Sequence, residues 1–115
     1  MIIRLGTLLM LASTACHAGG YTAFATPTEI DVVTNQGIMV YGAFGNPSSC
    51  TESNAFFVYF SNTQYSQMYA QILTAFTAGQ KISVYVSECD VVSWYNASPV
   101  TYGALTNNSA VRIQN

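Results

Sequence analysis

Charge is what this sequence has least of: only 7% of its 115 residues are Asp, Glu, Lys or Arg. The cations are Arg4, Lys81 and Arg112. Neutralising a phosphate backbone takes several cations acting together, so nucleic acid is excluded as a partner. Histidine is nearly absent too, the one copy being His17. Without an imidazole in the main body of the chain a Ser–His pair cannot form. A zinc site would have to rely on carboxylates and on cysteines with another use. Glu29 and Asp31 stand two apart, so they share one face of a strand. Such a pair can do acid–base work or hold calcium, but a solvated strand face is the commoner outcome. Glu88 and Asp90 flank Cys89 and read as loop solvation. The expectation is a protein that is not an enzyme and takes no metal or cofactor.

Long apolar runs are also missing. The one hydrophobic stretch, Leu5 to Ala12, is well short of the roughly 20 residues that cross a bilayer. Arg4 before it and Ser13-Thr14-Ala15-Cys16-His17-Ala18 after it complete the three-part layout of a secretory signal peptide. Residues 1–18 are therefore expected to be a leader cut after Ala18, with Ala15 as the alternative. Residues 19–115 then form a single domain, secreted or kept in the periplasm of a bacterium. A lipoprotein reading of Cys16 is weaker, because Ser13 stands where a lipobox carries Leu.

Cleavage also resolves the cysteine count. Of three cysteines, Cys16 leaves, and Cys50 and Cys89 remain with one possible intramolecular pairing in an oxidising compartment. They lack the C-x-x-C spacing of a redox pair, so a structural bridge is expected.

Along the mature chain, Gly19 to Pro27 reads as an irregular lead-in. Thr28 to Thr34 alternates, with Ile30 and Val32 on one face and Glu29, Asp31 and Val33 on the other. Asn35-Gln36-Gly37 signals a turn, and Ile38 to Phe44 returns as the second strand of a hairpin. Ala55 to Ser61 is a third strand, apolar on both faces, which predicts burial on both sides or a contact between subunits. The period then changes: Tyr65, Met68, Tyr69, Ile72, Leu73 and Phe76 form one stripe of a helix over 64–78. Asn62 or Thr63 is placed to cap it and Gly79 to end it. Lys81 to Ser87 alternates as a fourth strand, Asp90 to Pro99 reads as a loop, Val100 to Leu105 as a strand fragment, and Ala110 to Gln114 as the last strand. The expected fold is mainly β with one helix, in the order β-β-β-α-β-β. That order suits a five-stranded antiparallel barrel of the oligonucleotide/oligosaccharide-binding (OB) type. An open antiparallel sheet with one packed helix fits the same string.

Two stretches carry a family resemblance. Gly45-Asn46-Pro47-Ser48-Ser49-Cys50, followed by Phe56-Phe57-Val58-Tyr59-Phe60, resembles an element of small exported bacterial proteins. The helix-Gly-strand region, residues 68–86 leading to Cys89, is similar to the B subunit of subtilase cytotoxin, a pentameric glycan-binding partner of a toxic A chain. The resemblance covers about half the mature chain. It implies an OB barrel, a Cys50–Cys89 bridge, a homopentameric ring, a cell-surface glycan as ligand and a catalytic A-type subunit as partner. The toxin subunit's sugar-contacting residues have no matching positions here, the region before Gly45 aligns poorly, and the segment 94–108 departs from the toxin's tail.

Sugar recognition places a flat aromatic face against the apolar side of the ring, with hydroxyls and amides around it. Trp94, Tyr95 and Asn96 in a loop have that character, as do Ser83 and Tyr85 on a strand face expected to point outward. Trp94 equally suits a cover over the barrel, and Tyr85 a subunit interface. Two functions fit: a lectin-like binding module, or an exported envelope domain that contacts other proteins.

Overall fold

Asn35 (φ 62°) and Gly37 (φ 149°) reverse the chain between β2 (Glu29–Val33) and β3 (Gly37–Tyr41). The turn closes on a hydrogen bond from Gln36 N–H to the Val33 carbonyl. Position 37 tolerates nothing larger than glycine, because a Cβ there would collide with the Val58 carbonyl oxygen and lie 3.0 Å from the Phe57 ring. The computed structural model describes residues 19–95 and 100–115, so the expected leader lies outside the described residues. β1 (Gly20–Tyr21) precedes this hairpin. After it come β4 (Ala55–Tyr59), α1 (Tyr65–Ala78), β5 (Lys81–Val86), β6 (Glu88–Asp90), a 3-10 turn at Ser93–Tyr95, β7 (Tyr102–Leu105) and β8 (Ala110–Gln114).

The strands form two sheets, of order β2-β3-β4-β7-β6 and β1-β5-β8. β5 and β6 are successive halves of one path interrupted at Ser87, and each half serves a different sheet. Ser87 holds the switch through N–H and Oγ bonds to the Ala104 carbonyl, both at 3.1 Å. The fold is mainly β with one helix as expected, but its strands divide between two sheets instead of forming one closed barrel of five antiparallel strands. The expected fourth strand, Lys81 to Ser87, is taken almost whole by β1 and β8, and only the next three residues, 88–90, reach the larger sheet. No ladder among the described residues closes the two sheets into a barrel. One pairing, β4 with β7, is parallel. A parallel pair needs a long crossover, and α1, β5 and β6 supply it. The lead-in is not irregular either: Gly20 and Tyr21 pair with Val86 and Tyr85, and Ala25 bridges to Ile82.

The main core lies between the sheets. Ile38, Val40, Phe56 and Val58 from the larger sheet meet Ile82, Val84 and Val86 of β5, with Met68, Ile72 and Ala75 of α1 beneath. Phe44 stands edge-on to Phe56 at 5.0 Å. On the far side of the larger sheet a second cluster gathers Val33, Met39, Ala55, Phe57, Val92 and Tyr102. The doubly apolar β4 is thus buried on both faces, and alternation divides its phenylalanines between the two clusters. Phe60, one residue past β4, stays 66% exposed.

α1 carries no charged residue, so packing holds it rather than ion pairs, and its N-cap is Gln64, without a side-chain cap bond, instead of the expected Asn62 or Thr63. Asn62 anchors its start from a buried position. Its side-chain Oδ1 accepts the Gln64 N–H at 2.8 Å, and its Nδ2 donates to the Leu105 and Thr106 carbonyls at 3.1 and 2.7 Å. At the other end Gly79 adopts φ 70°, and its N–H donates to the Ala75 carbonyl. Asn62→Ala leaves both carbonyls and the Gln64 N–H without this partner and is expected to cost about 2 kcal/mol. Urea denaturation checks this; a loss below about 0.5 kcal/mol would mean that water replaces the amide freely.

Cys50 and Cys89 are joined by a disulfide. Asn46 shapes the loop that delivers Cys50, donating from Nδ2 to its carbonyl and accepting from its N–H at 2.6 and 2.8 Å. Among the described residues no helix is long and apolar enough to cross a membrane.

Candidate functional site

The smaller sheet buries Ile82, Val84 and Val86, so the alternate residues of β5 point the other way. Register then sets Tyr21 of β1, Tyr85 of β5 and Ala110 of β8 in one row across that outer face. The two tyrosine rings meet edge to face at 5.2 Å and 74°. With Asn108 and Ser109 they bound an open depression of about 260 Å³ whose floor includes the small Ala110. The loop before β8 holds these polar groups in place. The Asn108 N–H donates to Thr106 Oγ1 at 3.3 Å, Ser109 Oγ donates to the Thr106 carbonyl, and Asn62 Nδ2 reaches Ser109 Oγ at 3.3 Å. Behind the row, Arg112 lays its guanidinium 3.8 Å from the centre of the Tyr21 ring and 5.3 Å from that of Phe24. This cation–π contact fixes Tyr21, which is otherwise 45% exposed. An aromatic wall, an amide and a hydroxyl around an open basin is an arrangement suited to a polyhydroxylated ring. A scan of the sequence against protein-family models finds no match, and a search of curated proteins finds none either.

The residues expected to bind are not gathered in one place. Tyr85 lines the depression. Ser83 does not face solvent: it is fully buried, and its Oγ donates to the Thr22 carbonyl at 2.6 Å. The lead-in segment, by pairing with β5, covers the position that simple alternation would have exposed. Trp94 and Tyr95 belong to the other sheet's outer side. Trp94 is 68% exposed, whereas Tyr95 packs on the second cluster and donates to Asp31 Oδ2 at 2.9 Å. Asn96 lies outside the described residues. Tyr21, Asn108 and Ser109 line the depression beside Tyr85, and Arg112 backs the Tyr21 ring; none of the four stood out in the sequence as a binding residue. A two-residue strand gives no periodicity to detect, and Asn107-Asn108-Ser109 reads as an ordinary polar turn.

The outer side of the larger sheet is a tyrosine–carboxylate layer. Tyr59 donates to Asp90 at 2.7 Å, as Tyr95 does to Asp31. Hydrogen bonding to Asp31, then its charge, raises the Glu29 carboxyl; hydrogen bonding to Asp90, then desolvation, raises that of Glu88. Desolvation first and carboxylates second raise the hydroxyls of Tyr59 and Tyr95. Val92, Tyr95 and Val100 pack onto this layer, so it seats residues 92, 95 and 100. Among the described residues no group of three or more His, Cys, Asp or Glu could hold a metal. A second depression of about 420 Å³ beside the disulfide is lined by Ser49, Thr51, Glu88, Cys89 and Thr101, with no ring to stack on.

The layer predicts a pH dependence. Desolvation and the charge of Asp31 push the Tyr41 hydroxyl up to about 12. Its folded value lies above the unfolded one, so its contribution is whole below about pH 10 and lost as pH climbs toward about 12. Tyr41→Phe is expected to flatten the alkaline fall of stability in that window. Denaturant midpoints with equal slopes in both proteins would contradict this.

Proposed function

We propose that this chain is an exported, non-catalytic glycan-binding module whose ligand sits in the depression between Tyr21 and Tyr85. The observation that carries the reading is the joining of two tyrosine rings with Asn108 and Ser109 around an open basin on the outer face of the smaller sheet. The Cys50–Cys89 bridge suits an oxidising compartment, and with it the reading that residues 1–18 are a leader removed after Ala18. In this reading the two sheets are an opened form of the OB barrel. The helix between the third and fourth long strands, and the path over 81–90 shared by both sheets, support it. Assembly into a homopentamer that carries a catalytic A-type subunit belongs to the same reading, through the resemblance to the toxin B subunit.

Glycan-array binding by the oxidised mature chain tests this. Tyr85→Ala is expected to weaken binding about 30-fold, the loss usual for an aromatic hot spot. Tyr21→Ala should follow it. A loss confined to Trp94→Ala would move the ligand to the other sheet, and a blank array would sink the glycan reading.

One observation favours the second reading, an exported domain that contacts other proteins. Between Glu52 and Lys81 the chain has no charge, and Phe60, Leu73 and Phe76 on that stretch are exposed. A monomeric native mass, together with capture of a periplasmic protein that Phe76→Glu abolishes, would select it.

A further inference from the structure

We infer that the α-amino group of Gly19 is one of the groups lining the Tyr85 depression, where it donates hydrogen bonds to a bound saccharide. This rests on the leader and glycan readings proposed above. Pairing of Gly20 with Val86 and Tyr21 with Tyr85 puts residue 19 in the same phase as Tyr21, on the outer face of the smaller sheet. Gly19 packs directly on the head of Tyr85. A side-chain carbon added there would clash with the phenolic oxygen and lie 2.6 Å from Cζ and 2.7 Å from Cε1. A side chain at position 19 would have to displace the Tyr85 ring. The nitrogen of Gly19 is one bond from the Cα that packs on Tyr85, and Tyr85 is a wall of the basin.

Processing changes what that nitrogen can do. In the precursor it is an amide with one N–H, joined to Ala18. Hydrolysis adds water across the bond, leaving a carboxylate on the departing leader and an ammonium with three donors on Gly19. The other walls of the depression are neutral phenols, an amide and a hydroxyl. Arg112, the nearby guanidinium, is engaged on the Tyr21 ring. The new terminus therefore supplies a charged donor where the lining has none, and charge-assisted hydrogen bonds are the stronger kind.

Amino-terminal sequencing of the exported chain comes first: Gly19 is the expected first residue, and any other start overturns the inference. Three oxidised forms are then compared on a glycan array: free amine, Nα-acetylated, and extended by Ala18. Acetylation and extension are each expected to weaken binding at least about tenfold with an unchanged thermal midpoint. Equal binding by all three overturns the inference. If every form is blank, the glycan reading falls, and the place of the amine is read by NMR. Cross-peaks from the Gly19 Hα to the Tyr85 ring, with a shift of that ring on acetylation, keep the amine in the depression. Their absence removes it.

Discussion

Replacing both bridged cysteines, Cys50→Ala with Cys89→Ala, is expected to lower stability by about 4 kcal/mol. The bridge spans 39 positions, and closing a loop of that size removes much of the freedom of the unfolded chain. The folded state loses little by comparison. Cys50 is buried but small, and its backbone stays clamped by Asn46, so no sizeable cavity opens. β6 is a three-residue edge strand paired only with β7, and the bridge ties it to the loop before β4. Local fraying at residues 88–90 should therefore accompany the global loss. For a domain near 100 residues the thermal midpoint should fall on the order of 20 °C. A reduced protein melting within a few degrees of the oxidised one would place the stability elsewhere.

Gly37→Ala is the second large effect, expected to cost about 4 kcal/mol from backbone strain and overpacking together. At φ 149° an L-residue is strained whatever the space around it, and here the space is absent as well. The obstacle is the Val58 main-chain oxygen, which cannot swing aside as a flexible side chain would. Relief requires moving β3 away from β4, and with it the pairing of Ile38 with Val58 and Val40 with Phe56 that carries the main core. Gly45→Ala is the control: φ is 76°, but nothing stands near the added carbon. That variant should cost only about 1 kcal/mol. Equal losses in the two variants would mean that backbone strain alone, and not the Val58 carbonyl, makes glycine necessary at 37.

Local pattern reached some levels of this structure and not others. Alternation at 28–34 and 81–87, the Asn-Gln-Gly turn and the three-and-four spacing of 65–76 each report a neighbour's side of the chain, and those elements are present within a residue or two. The apolar character of both faces of 55–61 left burial on two sides or a subunit contact open; residues 55–58 are buried on two sides, while Phe60 is exposed. The division into two sheets was not legible, because it turns on Ser87 and on which strand captures β5, a long-range choice with no local signature. β1 was missed for a related reason: two residues cannot display a period, yet their pairing with β5 buries Ser83 and builds the Tyr21 wall. The candidate site follows the same division. Tyr85 was visible as an aromatic on an outward phase, whereas Asn108 and Ser109 acquire meaning only through the turn that sets them beside it.

The most direct test of the account is chemical-shift mapping of the oxidised 19–115 chain titrated with the saccharide that binds it best on the array. Shifts concentrated at Tyr21, Tyr85, Asn108 and Ser109 are the predicted result. Shifts centred on Trp94 and Tyr95, or a spectrum unmoved by any saccharide, would contradict it.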